Sequence, residues 1–308
     1  MKLSILDQAP VLIDQKSDQA LSASLQLAKA GDELGYERYW IAEHHDMDHL
    51  ACSAPEVMLS YIGSQTNRIR LGSGATLLPH YKPYKVAELY HMLSTLFPGR
   101  IDLGIGRAPG GSPESSIALS GNFLEQVRQF PDDVGKLLHF IYQDFPEDDF
   151  FKKVKASPLP PTSPVPWLLG TSEKSAVLAA ENGMRYVFGQ FMSELGSDKA
   201  LSLYKSHFHK KREEDSPETI VTVEVICAET DEKAETLAAQ SYKWRNKEDS
   251  SDSPSPPNMI KGSPESVTGQ LKNLSETSGA DEIMILTITP TYESRLESYR
   301  LIAKHALQ

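Results

Sequence analysis

The chain has 308 residues, 40% of them hydrophobic, and a net charge of −11 from 42 acidic and 31 basic side chains. That capacity suits one α/β barrel as well as two domains, and the acidic balance argues against nucleic acid or an anionic membrane as a main partner. Two distant cysteines, Cys52 and Cys227, argue against a disulfide framework and point to a reducing cytoplasm. The first residues lack the apolar core of a signal peptide, and no apolar run reaches membrane-spanning length.

Strand-like and helix-like segments alternate along the sequence. Residues 3–6 form a short apolar strand, and residues 17–34 carry helical spacing at Leu21, Leu25, Ala28 and Leu34 before Gly35. A strand at 39–42 precedes a helix at 54–66, and a Gly-rich strand region at 69–78 precedes a helix at 86–97. Pro98-Gly99-Arg100 then turns the chain into a strand at 101–105, followed by a helix at 123–142. Residues 144–163 are polar and proline-rich, as in a connecting loop. Further strands are predicted at 165–169, 186–188, 220–228 and 282–287, with helices at 172–182, 197–212, 231–245, 264–278 and 294–305. The polar, Ser- and Pro-rich residues 246–262 read as a mobile loop. Eight strands, each followed by a helix, predict an α/β fold of the TIM (β/α)8 barrel type, one domain over residues 1–308. An open doubly wound sheet is the alternative.

In such a barrel the chemistry gathers at the C-terminal ends of the strands. Asp7 and Gln8 follow the first strand, and Glu43, His44 and His45 follow the second. The third strand ends in Gly72-Ser73-Gly74-Ala75-Thr76, whose small residues would let a planar ring lie against the backbone. After the fifth, Gly170-Thr171-Ser172-Glu173-Lys174-Ser175 opens a helix. Its hydroxyls and free N–H groups make a phosphate site, or simply an N-cap. Arg107, in the Gly-rich loop after the fourth strand, favours the phosphate reading, because a guanidinium beside a helix N-terminus holds a phosphate monoester well. That loop is neither a P-loop nor a dinucleotide fingerprint.

Three of the nine histidines fall at positions 44, 45 and 49, among Glu43, Asp46 and Asp48. A metal nest is one reading. Adjacent residues on an extended strand face opposite ways, however, and no second dense ligand cluster follows the later strands. No metal is therefore expected, and a strand-end histidine poised as acid or base is preferred.

The ordered motifs resemble those of the bacterial luciferase-like flavin monooxygenases, relatives of the luciferase α subunit. They are Tyr39-Trp40-Ile41-Ala42-Glu43-His44-His45, then Ile69-Arg70-Leu71-Gly72-Ser73-Gly74-Ala75-Thr76-Leu77-Leu78-Pro79-His80-Tyr81-Lys82-Pro83, and Gly99-Arg100-Ile101-Asp102-Leu103-Gly104-Ile105-Gly106-Arg107-Ala108-Pro109-Gly110. Gly262-Ser263-Pro264-Glu265 and Ala280-Asp281-Glu282-Ile283-Met284 extend the match towards the C-terminus. The resemblance implies a TIM barrel that binds FMN at its strand ends. It makes His44 the catalytic histidine and Glu43 its neighbour beside the flavin. Ser73, Gly74 and Ala75 become the segment with a non-prolyl cis peptide against the ring, and Arg107, Gly170, Thr171, Ser172 and Ser175 the phosphate-binding group. The implied reaction consumes reduced FMN, delivered by a separate flavin reductase, with O2 and a small-molecule substrate. A homodimer through the helices after strands two and three is also implied.

Two departures limit the resemblance. Gly106 stands where the luciferase α subunit has a reactive cysteine, and residues 246–262 are shorter than its mobile loop, so light emission is not expected. That loop is a candidate lid over the mouth. A deazaflavin-dependent oxidoreductase and a non-enzymatic flavin-binding protein are the rival readings.

Overall fold

The structure, a computed structural model, describes residues 1–213, 215–246 and 259–307. The chain runs β1 (Lys2–Asp7), α1 (Ser17–Leu34), β2 (Arg38–Ile41), α2 (Pro55–Gly63), β3 (Arg70–Ser73), β4 (Thr76–Leu77), α3 (Pro83–Leu96) and β5 (Ile101–Gly106). It continues through α4 (Pro113–Ser120), α5 (Phe123–Tyr142), β6 (Val165–Gly170), α6 (Glu173–Glu181), β7 (Arg185–Gly189), α7 (Ser197–His207) and β8 (Thr219–Cys227). The last elements are α8 (Asp231–Asn246), β9 (Ile260–Gly262), α9 (Pro264–Ser278), β10 (Glu282–Leu286) and α10 (Tyr292–Ala306).

Eight strands pair in parallel and close on themselves in the order β10-β1-β2-β3-β5-β6-β7-β8, with β8 returning to β10. This closed (β/α)8 barrel is the expected fold, and it removes the open-sheet alternative. Alternation along each strand sorts its side chains between two layers. Leu3, Ile5, Tyr39, Ile41, Leu71 and Leu103 pack outward against the helices, whereas Leu6, Trp40, Trp167, Val187, Ile220 and Met284 fill the barrel.

The barrel floor is ionic. Arg38 donates Nε and Nη2 to the two oxygens of Glu282, each at 2.8 Å, and Nη1 to Asp102 Oδ2 at 2.8 Å. Arg70 reaches Asp102 Oδ1 from the rim at 2.5 Å, and Ser4 donates to Glu282. Burial opposes the charge on Asp102, but the Arg38 and Arg70 guanidiniums outweigh it and hold the carboxyl below the usual range.

Above this floor lies Trp40, edge-on to Trp167 with ring centres 5.7 Å apart, and its indole N–H donates to Asp102 at 3.1 Å. Its bulk explains one of the strand glycines. A Cβ on Gly72 would sit 2.5 Å from Trp40 Nε1, whereas one on Gly104 would meet the Ser73 carbonyl oxygen at 2.1 Å. Gly72 thus makes room for a tryptophan, and Gly104 for the neighbouring backbone, rather than for a ligand.

Several boundaries differ from the sequence reading. The predicted strand at 69–78 is broken. β3 ends at Ser73, the Gly74–Ala75 peptide is cis, and Thr76–Leu77 pairs separately with β5. The helix predicted at 54–66 occupies Pro55–Gly63, because Pro55 sets its first turn and Thr66 instead donates back to Ile62 O. The helix predicted at 86–97 starts earlier, at Pro83, for the same reason. The helix predicted at 197–212 stops at His207, after which His209 N–H bonds Ala180 O. α4 was hidden in the Gly-rich stretch and is started by Ser112, whose hydroxyl accepts from Ser115 N–H. Of the loop predicted at 246–262, Asn246 ends α8 and Ile260–Gly262 is a strand paired with β8, so those residues are not loop. Residues 247–258, and with them the lid expectation, lie outside the described residues.

Removing one member of the floor network leaves a buried charge without its partner. Asp102→Ala is expected to lower unfolding stability by about 3–5 kcal/mol, measured by chemical denaturation. Because the folded Asp102 pKa is depressed, its stabilisation is complete above the ordinary carboxylate range and is lost as pH falls through the folded value. The variant should therefore lose less stability on acidification than the wild type.

Candidate active site

The strand ends open into a cleft of about 1070 Å³. His44 enters it from the turn after β2, where its backbone N–H donates to Cys52 O at 2.9 Å and fixes the chain under the ring. Its Nδ1 is buried and has no hydrogen-bond partner among the described residues. Burial, then the nearby His49, push the imidazole pKa down to about 4; Glu43 pulls the other way and His45 adds to the fall. The ring is neutral at pH 7, so it can accept a proton or share a hydrogen bond but carries no charge of its own.

Glu43 is placed differently from a free acid or base. Its Oε1 accepts from the Tyr81 hydroxyl at 2.7 Å and lies 2.8 Å from His45 Nε2, while Oε2 accepts from Leu77 N–H at 3.0 Å. The carboxylate therefore ties the turn carrying His44 to the segment that follows the cis peptide. Tyr81 falls inside one of the family motifs, and no local pattern marks it as a partner of Glu43. It lies 38 positions away, and only folding joins them.

The rest of the histidine cluster disperses. His45 is held by Glu43 and meets His80 edge-on at 5.7 Å, and Asp46 accepts from Ser112 Oγ at 2.5 Å. Among the described residues no three His, Cys, Asp or Glu side chains converge as a metal site. Asp7, another strand-end candidate, faces outward, where it accepts from Arg295 at 2.7 Å and Tyr39 at 2.6 Å.

Gly74, Ala75 and Gly106 form a wall of the cleft with little side-chain relief. A Cβ on Gly106 would come within 3.0 Å of Ala75 Cβ, so the absence of a cysteine here keeps that wall flat. Ser73 does not join it. Its hydroxyl donates to Gly104 O at 2.7 Å in the buried layer.

Beside the wall, Arg107 is exposed to the cleft and makes no ion pair among the described residues. The N-terminus of α6 faces the same space. Ser172 caps it, with Ser175 N–H only 3.4 Å from the Ser172 hydroxyl, a weak bond that an anion could replace. The Ser175 hydroxyl is already engaged. It donates to Ser172 O at 2.6 Å and lies 3.0 Å from Tyr186 OH, in the space that Gly170 leaves bare. Thr171 lines the cleft while its carbonyl accepts from Ser193 Oγ at 3.0 Å. Lys174, absent from the sequence-based site, adds a second cation here, although the run that contains it was singled out. The apolar wall from Phe191 and Leu169 was not anticipated, because nothing local distinguishes such residues from core.

Residues 1–284 match the model of the luciferase-like monooxygenases. An N-acetyl-S-alkylcysteine monooxygenase of Bacillus subtilis (strain 168) is 40% identical, the match covering 76% of this chain and 70% of that protein. The crystal structure of apo-MsnO8 superposes with a TM-score of 0.90 at 33% identity, over 99% of this chain and 98% of the other. A type II Baeyer–Villiger monooxygenase, the oxygenating constituent of 3,6-diketocamphane monooxygenase from the CAM plasmid of Pseudomonas putida, was solved with FMN. It shares the fold with a TM-score of 0.75 at 21% identity, over 99% of this chain and 98% of that one. The chain belongs to the luciferase-like monooxygenase family and is an oxidoreductase of the oxygen-incorporating type.

Proposed function

We propose that this protein uses reduced FMN and O2 to oxygenate a small organic molecule. The observation that carries the reading is one cleft in which the neutral, unpaired His44, the bare Gly74–Ala75–Gly106 wall and the Arg107–α6 phosphate end stand side by side. The residues fit the cofactor. Gly74, Ala75 and Gly106 leave space for a planar ring. Arg107, Lys174 and the N–H groups that Ser172 caps would hold its phosphate. FMN, when bound, supplies the activation of oxygen.

The protein's part is positioning and proton management. Glu43 acts as a brace: its three bonds fix the turn under His44 and the end of β4 with the residues that follow it. His44 takes up or shares a proton at the reacting position, from a site whose low polarity keeps it neutral. Leu77, Leu169 and Phe191 limit water. A separate reductase would supply reduced FMN. The named Bacillus relative makes thioethers the first substrates to assay. The free thiols, both buried with pKa values pushed up to about 12 by burial, suit a cytoplasmic setting. Among the described residues no helix is long and apolar enough to cross a membrane.

A homodimer is part of the proposal. Val57 and Tyr61 on α2, and Met92 and Leu96 on α3, expose apolar surface between 48% and 63% at i,i+4 spacing on two helices that pack together.

Five outcomes test the reading. His44→Ala should lower turnover by roughly 10²–10⁴-fold with FMN affinity little changed, measured by steady-state oxygen uptake and flavin titration. The wild-type rate should stay level on acidification through pH 6 and fall only near pH 4, since only the protonated ring is inactive. Arg107→Ala should weaken FMN by about 10–100-fold and leave riboflavin, which lacks the phosphate, unaffected. Absorbance titration with FMN and with a deazaflavin compares the two cofactors, and tighter deazaflavin binding would replace the reading. Light scattering should give twice the 34.1 kDa chain mass, and Tyr61→Glu with Met92→Glu should reduce it to one.

A further inference from the structure

Most charged groups of the cleft gather at one end. Arg107 and Lys174, with Glu173 and Glu181 of α6, stand beyond the ends of β5 and β6. The opposite wall is lined from β7, β8 and β1, with β10 joining β8 to β1 in the closed sheet. From that wall Gln8, just past the end of β1, and Thr222, midway along β8, face the cleft. The register puts them two strands apart: Thr222 pairs with Met284, and Met284 with Ser4. Neither side chain has a hydrogen-bond partner among the described residues, although Gln8 is half-buried and Thr222 is only 2% exposed.

Polar groups buried this far are normally satisfied. Two open ones on a wall otherwise made by Leu6 and Val187 leave donors and acceptors aimed at whatever fills the space. Among the described residues no basic side chain lines this wall. Glu224, two residues further along β8, is buried and already engaged within the protein, so it offers an anion no attraction. The carboxamide of Gln8 and the hydroxyl of Thr222 can each donate and accept. Their complement is an uncharged group that also does both.

We propose that Gln8 and Thr222 form the substrate anchor and read an uncharged secondary amide, with the apolar body of the substrate directed along Ala42 towards His44. This rests on the reading that the cofactor ring takes the Gly74–Ala75–Gly106 side. It selects neutral amide-bearing molecules over carboxylates of the same size, and it makes Gln8 and Thr222 specificity residues rather than catalytic ones.

The test is calorimetric titration of the full chain, with and without saturating FMN, using three probes of similar size: N-butylacetamide, hexanoate and dipropyl sulfide. The amide should bind at least tenfold more tightly than either of the others. Gln8→Met and Thr222→Val should each weaken the amide by roughly tenfold, the scale of one or two lost neutral hydrogen bonds. Sulfide binding should stay unchanged, and FMN affinity should stay within twofold. If Thr222→Val, buried in the barrel, does not fold by its thermal melt, Gln8→Met alone carries the comparison. An amide held no more tightly than hexanoate or the sulfide overturns the proposal, as do variants that bind it like the wild type. Loss of FMN binding with the amide preference intact would remove the flavin reading and leave the anchor. Retained FMN binding without the preference would remove the anchor alone.

Discussion

The Arg38 guanidinium, bonded to Glu282 and Asp102 inside the barrel, is the interaction on which the rest of the structure depends. Three strands meet at this group, and β3 joins through Arg70. A buried ion network is weak evidence for stability, since an apolar plug of equal volume often does as well. Its consequence here is geometric. Asp102 accepts the Trp40 indole N–H, and Trp40 then fills the space left by Gly72. The barrel is packed solid to that level, and the cleft begins above it.

What stands above is a division of labour set by environment. His44 and Glu43 are adjacent in sequence and opposite in use. Glu43 accepts three hydrogen bonds, so its carboxylate works as a structural tie. His44 has an unpaired ring nitrogen and a pKa held near 4 by burial. Proton chemistry in a closed, oxygen-handling site is better served by the second kind of group, because a neutral imidazole brings no counter-ion and no tightly held water with it. Along the cleft the same logic separates charge from neutrality, with the charged groups Arg107, Lys174, Glu173 and Glu181 at the α6 end and uncharged hydrogen-bonding groups across from it.

Much of this was legible in the sequence, for identifiable reasons. The eight βα units follow from hydrophobic runs of strand length alternating with helical spacing, a pattern set by local burial. Periodicity did not show the break in the third strand, whose apolar run continues through Leu77 and Leu78; the cis peptide at Gly74–Ala75 was implied by the family resemblance alone. Ser73 and Ser175 fall in segments that the family motifs bring to the cofactor, and their hydroxyls donate to the protein groups Gly104 O and Ser172 O. Position in a motif says which segment reaches the mouth, but not which way a side chain turns.

The sequence by itself determined the barrel, the family motifs, and the delivery of His44, Arg107 and the α6 N-terminus to one end of the sheet. Each of these is written in short-range periodicity, capping residues or glycine placement. Only the tertiary structure decided which groups are free to act. Tyr81 and Leu77 N–H claim Glu43 across more than thirty positions, Arg295 claims Asp7 from the far end of the chain, and Trp40 claims the space beside Gly72. Hydrogen-bond satisfaction and desolvation are sums over neighbours that only the closed barrel assembles, so no local pattern records them.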